Sequence, residues 1–234
     1  MSRSKLTMED VRAVSPALEK YTLDKIVNGL WKRPDLSSRD RSIVTVSVLI
    51  ARAQTIGMLH YFNHALDTGV TPGELSEIVT HLAFYAGWSN AFFAVQVLRE
   101  VFAERGITAE LLPEAEPVLL PLDEAAEERR AGIVEQSAGA VSPGLVHYTA
   151  DALFHDLWLR PGLAPRDRSL ATISALIATG NVAQITFHLN KAMDNGLTSV
   201  EGGEVLTQVA FYAGWPNAFS AVPIVKDVLA KRAA

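Results

Sequence analysis

The stretch TPGELSEIVTHLAFYAGW at Thr71–Trp88 recurs as TSVEGGEVLTQVAFYAGW at Thr198–Trp215. Each copy opens with a threonine followed three residues later by a glutamate, the capping box that begins a helix, and each contains a late glycine typical of a helix end. Around this pair, Tyr21–Phe102 aligns without a gap on Tyr148–Leu229, and almost half of the aligned positions are identical. A repeat of this length indicates a duplicated domain, since the units of solenoid proteins span only about 20–50 residues.

Proline and glycine divide the rest of each repeat into helices. The pair Ser15-Pro16 predicts a helix start, and this helix is expected to extend to Trp31. Residues 38–53 are apolar on nearly all sides after a charged first turn, which predicts a buried central helix, although their β-branched residues would also suit a buried strand. Further helices are predicted over 55–67 and 88–104, and Gly69 is expected as a left-handed helix cap.

These signals predict an all-α protein built from two tandem helical domains. The first domain is expected at residues 1–105 and the second at 123–234. Residues 106–122, which combine prolines with acidic side chains, are expected to form the linker. With 234 residues, of which 49% are hydrophobic, the chain is long enough to bury a sizeable core.

The composition argues against several classes of function. The net charge of -5, without any basic run, gives no electrostatic footprint for nucleic acid. The absence of cysteine excludes disulfides, a thiolate metal site and dithiol redox chemistry. No apolar stretch approaches the roughly 20 residues that span a bilayer, and the first ten residues lack the apolar core of a signal peptide. We therefore expect a soluble cytoplasmic protein without nucleic-acid or membrane partners.

The histidines do not follow the repeat, although histidine is the commonest acid–base side chain near neutral pH. His81 aligns with Gln208, and His188 aligns with Tyr61. Glu77 lies four residues before His81, so both side chains share one helix face, where the carboxylate could orient the imidazole as a general acid or base. An ordinary pair on a helix surface is the alternative, and His188 could equally be a buried structural residue.

Two further patterns leave a structural and a functional interpretation open. The RDRS strings place Arg41 and Arg168 near the start of the central helices, where each guanidinium could bridge helices or bind a substrate carboxylate. His60 and His64 have a spacing that metal ligands use on a helix, but the local sequence offers no third ligand, so no metal site is predicted. The candidate substrate-binding residues are Arg41, Arg168, Tyr61, Tyr85, Trp88, Tyr212 and Trp215.

These motifs resemble those of the carboxymuconolactone decarboxylase family, which also contains alkylhydroperoxidase-like proteins. The family pattern has a histidine eight residues before a glycine, then a T-x-x-E box, then H-x-A-x-Y-A-G-W. His188 with Gly196 matches the first histidine, and His81 begins the second motif, so each repeat keeps only one of the two. The resemblance covers both repeats and implies two tandem copies of an alkylhydroperoxidase-like helical domain.

The resemblance implies a carboxy-lyase that needs no cofactor and removes CO2 from a small carboxylated lactone. His81, His188 and Glu77 are the catalytic candidates that it implies. The peroxidase branch uses a pair of cysteines, which this chain lacks, so that activity is excluded. Two alternatives stay open: decarboxylation or proton transfer on a larger aromatic or polyketide-like acid, and a non-catalytic binding or assembly protein.

The resemblance also implies how the two repeats are used. Family members assemble as rings of single domains, so a duplicated chain is expected to be a homo-oligomer, a trimer that forms a pseudo-hexamer. Because each repeat keeps one family histidine, the chain has either one composite site or two incomplete ones. A composite site requires His81 and His188 to lie within about the width of one substrate.

Overall fold

The computed structural model describes residues 6–233 and shows twelve α-helices there. In chain order the helices are α1 (Met8–Val14), α2 (Pro16–Tyr21), α3 (Ser38–Ala51), α4 (Thr55–Asp67), α5 (Pro72–Ala86), α6 (Trp88–Glu104), α7 (Glu124–Ala138), α8 (Pro143–Tyr148), α9 (Pro165–Thr179), α10 (Ile185–Asp194), α11 (Ser199–Ala213) and α12 (Trp215–Ala233). No β-strand occurs between residues 6 and 233, so the predicted all-α class is confirmed. None of the helices described is long and apolar enough to cross a membrane.

Local sequence signals set most of these boundaries, as predicted. The helices expected over 55–67 and 88–104 are found as α4 and α6 with the same ends. Both capping boxes form; in the first, the hydroxyl of Thr71 accepts a hydrogen bond from the backbone of Glu74, whose carboxylate accepts one from the backbone of Thr71. Gly69 has a φ of 95°, a backbone conformation that glycine adopts without steric cost at a helix end.

The prediction of one helix from Ser15 to Trp31 is wrong, because three kinds of helical turn follow one another there. Helix α2 ends at Tyr21, a π-helical turn covers Thr22–Val27, and a 3₁₀ turn covers Leu30–Lys32. The second repeat shows the same order after α8. A π-turn adds a residue to the helical turn and so rotates the residues that follow, which apolar spacing does not reveal. The charged helices α1 and α7 were also not predicted.

Helices α3 and α9 pack against each other at the centre of the molecule. Every residue of α3 from Asp40 to Ala51 is buried. Helix α3 also contacts α11 of the second repeat, and α9 contacts α5 of the first, so the two repeats are interlocked. They share one continuous hydrophobic core. The domain boundaries near residues 105 and 123 stay a prediction.

The RDRS strings hold the beginnings of α3 and α9 together across the repeats. Arg166 donates two hydrogen bonds of 3.0 Å to the carboxylate of Asp40. Arg39 pairs reciprocally with Asp167 at 2.7 Å. Both aspartates are buried, and a buried carboxylate needs such partners to offset its lost hydration. The first arginine and the aspartate of each string therefore join the repeats.

Candidate active site

Two residues from each repeat meet in an aromatic group, His81, Tyr85, Trp158 and His188, which we call the first cluster. His81 and Tyr85 lie on α5, Trp158 in the 3₁₀ turn before α9, and His188 on α10. The ring centroid of Tyr85 lies 4.8 Å from that of His81 and 5.2 Å from that of His188. The ring of Trp158 lies 5.1 Å from His81 and 5.9 Å from His188. The two imidazoles therefore contact the same two rings, the arrangement expected of a composite site.

His81 is completely buried, and Thr172 sets its tautomer. The Nε2 atom of His81 lies 2.6 Å from Oγ1 of Thr172, whose hydroxyl donates to the carbonyl of Arg168 at 2.9 Å. Because a hydroxyl has only one proton, Thr172 accepts from Nε2–H, and Nδ1 of His81 is left unprotonated. This buried Nδ1 has no hydrogen-bond partner among the described residues. Burial, with the charges of Arg168 and His188, holds the pKa of His81 well below its usual 6.5.

Two more polar groups of the first cluster have hydrogen-bonding capacity that the described residues do not use. The hydroxyl of Tyr85 accepts a hydrogen bond from Nε1–H of Trp158 at 2.9 Å, but no acceptor for its own proton lies within residues 6–233. Burial raises the pKa of Tyr85, so the hydroxyl keeps this proton at neutral pH. Nδ1 of His188 is also buried without a partner in the part of the chain described. Burial and the charge of Lys191 lower the pKa of His188 to about 4.

The hydrogen bond expected between Glu77 and His81 is not formed. Glu77 is only 2% exposed, and its carboxylate accepts hydrogen bonds of 2.8 Å from both Arg160 and Arg168. Burial raises the pKa of Glu77, but the hydrogen bonds from the two arginines outweigh it and lower the pKa overall. Glu77 therefore acts on His81 only through Arg168, whose carbonyl receives the Thr172 hydroxyl.

The opposite combination of repeats builds a second cluster. Its members are Trp31, Tyr61, Gln208 and Tyr212. Gln208 occupies the position of His81, and its amide donates to Oγ1 of Thr45 at 2.9 Å and accepts from Arg41 at 2.9 Å. Both polar atoms of the glutamine side chain are therefore paired within the protein.

Tyr61 pairs the remaining polar group of the second cluster, at the position that His188 occupies in the first. Trp31 donates to the hydroxyl of Tyr212 at 2.8 Å, and that hydroxyl donates to Tyr61 at 2.7 Å. The corresponding proton of Tyr85 finds no such acceptor among the described residues. Two sequence differences thus separate the clusters: the first has two buried ring nitrogens without partners, and the second has no buried unpaired atom among its four described side chains.

Several residues singled out in the sequence lie away from the first cluster. Trp88 and Trp215 are 53% and 51% exposed, and each makes a ring contact with a neighbouring phenylalanine. The ring centroid of His64 lies 4.6 Å from that of Trp31 in the second cluster, in an edge-on contact. The ring of His60 is stacked parallel to the ring of His64. No group of three or more side chains suited to a metal ion occurs among the residues described.

Acidification should destabilise the protein between about pH 6.5 and pH 4, because the pKa values of His81 and His188 lie below the ordinary 6.5 in the folded state. Over this range the unfolded chain binds protons that the folded chain does not, so the free energy of unfolding falls as pH falls. At pH 7 and above both states are neutral and the effect vanishes. Near pH 4, His188 alone should contribute a loss of about 3 kcal/mol.

Urea denaturation of the wild type and of His188→Gln checks this expectation. The paired carboxylates also lose stabilisation in acid, but they are common to both proteins and cancel in the comparison. The variant should lose less stability than the wild type between about pH 7 and pH 4.5. Parallel pH curves for the two proteins would contradict the low pKa of His188.

The fold and the first cluster define a duplicated all-α protein whose repeats share an aromatic cluster. The Carboxymuconolactone decarboxylase family model matches residues 19–100 and 143–227, one match in each repeat. The chain belongs to the carboxymuconolactone decarboxylase family, and the two matches confirm the predicted tandem duplication.

Two curated relatives are decarboxylases. The chain is 35% identical over 81 residues to 4-carboxymuconolactone decarboxylase of Acinetobacter baylyi, a match that covers 35% of this chain and 60% of that protein. It is 30% identical over 73 residues to nitrosuccinic acid decarboxylase of Metarhizium robertsii, which covers 31% of this chain and 51% of that protein. In both comparisons less than two thirds of the relative is spanned.

Proposed function

We propose that this protein is a carboxy-lyase that removes CO2, without a cofactor, from a small carboxylated lactone of the carboxymuconolactone type, and that the first cluster is its active site. One observation carries the proposal: Nδ1 of His81 and Nδ1 of His188 are buried without partners in the described structure, and the half-buried Tyr85, whose ring contacts both imidazoles, donates its hydroxyl proton to no described residue. Buried polar groups are normally paired, so such a set suits a ligand. None of the four side chains of the second cluster has a buried unpaired atom in the described structure, so we assign that cluster no catalytic role.

The lactone itself provides the electron sink of the reaction. The bond between the ring carbon and its carboxylate breaks, CO2 leaves, and the electron pair moves into the conjugated carbonyl to give an enolate. Tyr85 donates its free proton in a hydrogen bond to the enolate oxygen as the negative charge develops there. The surrounding aromatic rings keep water away from the carboxylate that loses its charge, which favours the transition state.

The final step places a proton on carbon in exchange for CO2. The proton of His81 is on Nε2 and is held by Thr172, so the free Nδ1 accepts hydrogen bonds but has no proton to give. His188 therefore donates the proton. With a pKa of about 4, His188 is a strong acid once protonated, and a bound anionic substrate favours that protonation. His188 is 7% exposed, so water can reload it.

The enclosure of the first cluster supports a small substrate over a larger aromatic acid. His81 is fully buried, and His188 is only 7% exposed. The direct test is to incubate the protein with the lactone and follow its ultraviolet absorbance. Loss of the absorbance with release of CO2 is expected, whereas no turnover at micromolar enzyme would remove the substrate assignment.

Tyr85→Phe should lower kcat about 10²- to 10³-fold, because it removes the donor to the developing enolate oxygen. The variant should fold, since the only bond lost is the one from Trp158, at a cost of about 1 kcal/mol. Tyr212→Phe in the second cluster is the matched control and should leave kcat unchanged. Equal rate losses in the two variants would contradict the assignment of the site to the first cluster.

We also propose that the chain forms a homo-oligomer. Helices α6 and α12 expose large apolar side chains at matching positions of the two repeats, Trp88 with Phe92 and Trp215 with Phe219, which are all at least half exposed. Exposed apolar groups of this size mark interaction surfaces. A trimer of 25.4 kDa chains is the expected species in light scattering, and a monomer would overturn this assembly.

A further inference from the structure

Lys191 places a positive charge against the first cluster. It lies three residues after His188 on α10, so both side chains share one helix face. Its Nζ lies 4.8 Å from the centroid of the Trp158 ring, the same ring that both imidazoles contact. Lys191 is half-buried, and its charge acts on His188, whose pKa it helps to lower.

The carboxylates nearest to Lys191 are engaged elsewhere. Asp194 pairs with Arg232 at 2.7 Å, and Glu127 pairs with Arg130 at 2.5 Å. Asp123 accepts the backbone hydrogen bond that caps α7. Within residues 6–233, no carboxylate approaches Lys191 to ion-pair distance. The ammonium group is thus a partly buried cation without an ionic partner.

The other cations near the first cluster have partners. Arg168 and Arg160 both bind Glu77, and Arg168 is completely buried. At the position of Lys191, the second cluster has His64, which packs edge-on against Trp31. A lysine at this position is therefore specific to the cluster that has unpaired polar groups.

We propose that Lys191 binds a carboxylate of the substrate that is retained in the product, and thereby selects diacids over monoacids. The inference rests on the proposed function, because it assigns the second anionic group of the same substrate. The carboxylate that leaves as CO2 must give up its charge, so a salt bridge to it would stabilise the ground state more than the transition state. A cation serves the reaction only at a carboxylate whose charge does not change, and there it contributes binding.

The test compares a diacid lactone with the same lactone esterified at the retained carboxylate. Lys191→Met should raise KM for the diacid about 10- to 100-fold and change kcat little, since a charge-assisted hydrogen bond is lost from both the bound and the transition state. Its KM for the ester should stay near that of the wild type. Lys191→Arg should restore most of the preference for the diacid. His64→Met, at the equivalent position of the second cluster, should leave KM for both substrates unchanged.

A binding measurement separates this inference from the proposed function. The probe is the saturated diacid lactone, whose carbonyl is not conjugated, so that it cannot lose CO2 by this route. The probe is titrated into the protein, and binding is followed by tryptophan fluorescence. Tighter binding of this diacid than of its monoester in the wild type, lost in Lys191→Met, supports the role of Lys191 even if no lactone is turned over. Turnover of the unsaturated diacid and monoester with equal KM overturns the role of Lys191 and leaves the proposed function intact. Equal binding of the saturated diacid and its monoester to the wild type would also overturn the role of Lys191.

Discussion

The His81→Gln variant should remain folded and lose decarboxylase activity by about 10²- to 10⁴-fold. The chain contains the template for this change, because Gln208 occupies the equivalent position and pairs with Arg41 and Thr45. In the variant, the new amide can donate to Thr172 and accept from Arg168, whose NH1 group has no partner in the described structure. The unpaired Nδ1, which in the proposed site is free to accept a hydrogen bond from the bound substrate, is lost with the imidazole.

Two measurements check this expectation: kcat/KM with the lactone, and the midpoint of thermal unfolding. The midpoint should be equal to that of the wild type or higher, since a buried unpaired nitrogen is replaced by a paired amide. Gln208→His is the matched control, and it should create no second site because Tyr61 still pairs with Tyr212. A variant His81→Gln with the activity of the wild type would show that the first cluster is not catalytic.

Glu77→Ala should destabilise the protein by about 3–5 kcal/mol, because it leaves the completely buried Arg168 without its carboxylate. This is a large part of the roughly 5–15 kcal/mol that stabilises a typical domain. The carbonyl of Arg168 also holds the hydroxyl of Thr172, so the variant should in addition lose kcat per folded molecule.

Glu204→Ala provides the matched control, since Glu204 binds the equally buried Arg41 in the second cluster. Urea denaturation should show a loss of stability for both variants. Activity per folded molecule should fall only for Glu77→Ala, because the proposed site lies in the first cluster alone. A decrease in the free energy of unfolding below about 1 kcal/mol for both variants would contradict the stabilising role of these buried ion pairs.

Features that depend on neighbouring residues in the chain could be predicted from the sequence. The capping box at Thr71, the turn at Gly69 and the ends of α4 and α6 all follow from local hydrogen bonds and backbone conformation. The π-turn at Thr22–Val27 could not be predicted in this way, because one extra residue per turn leaves the composition and the approximate apolar spacing unchanged.

The candidate site was predicted only in part, since its contacts cross between the repeats. The alignment with Gln208 and Tyr61 singled out His81 and His188, but their common contact with Trp158 depends on how α5 packs against the second repeat. Trp158, Thr172 and Lys191 were not predicted as site residues. Trp158 and Thr172 occur in both repeats, as Trp31 and Thr45, and this shared identity was the available signal.

The crossed packing of the repeats has a consequence for how such a protein can change. Each cluster takes two residues from each half of the chain, so in a pair of identical unfused chains any substitution would alter both clusters at once. A covalent fusion removes this coupling, because the four positions of each cluster are then encoded separately. One cluster can then become purely structural, while the equivalent cluster keeps unpaired polar groups that can bind a ligand. Neither half, produced alone, contains a complete set of either kind.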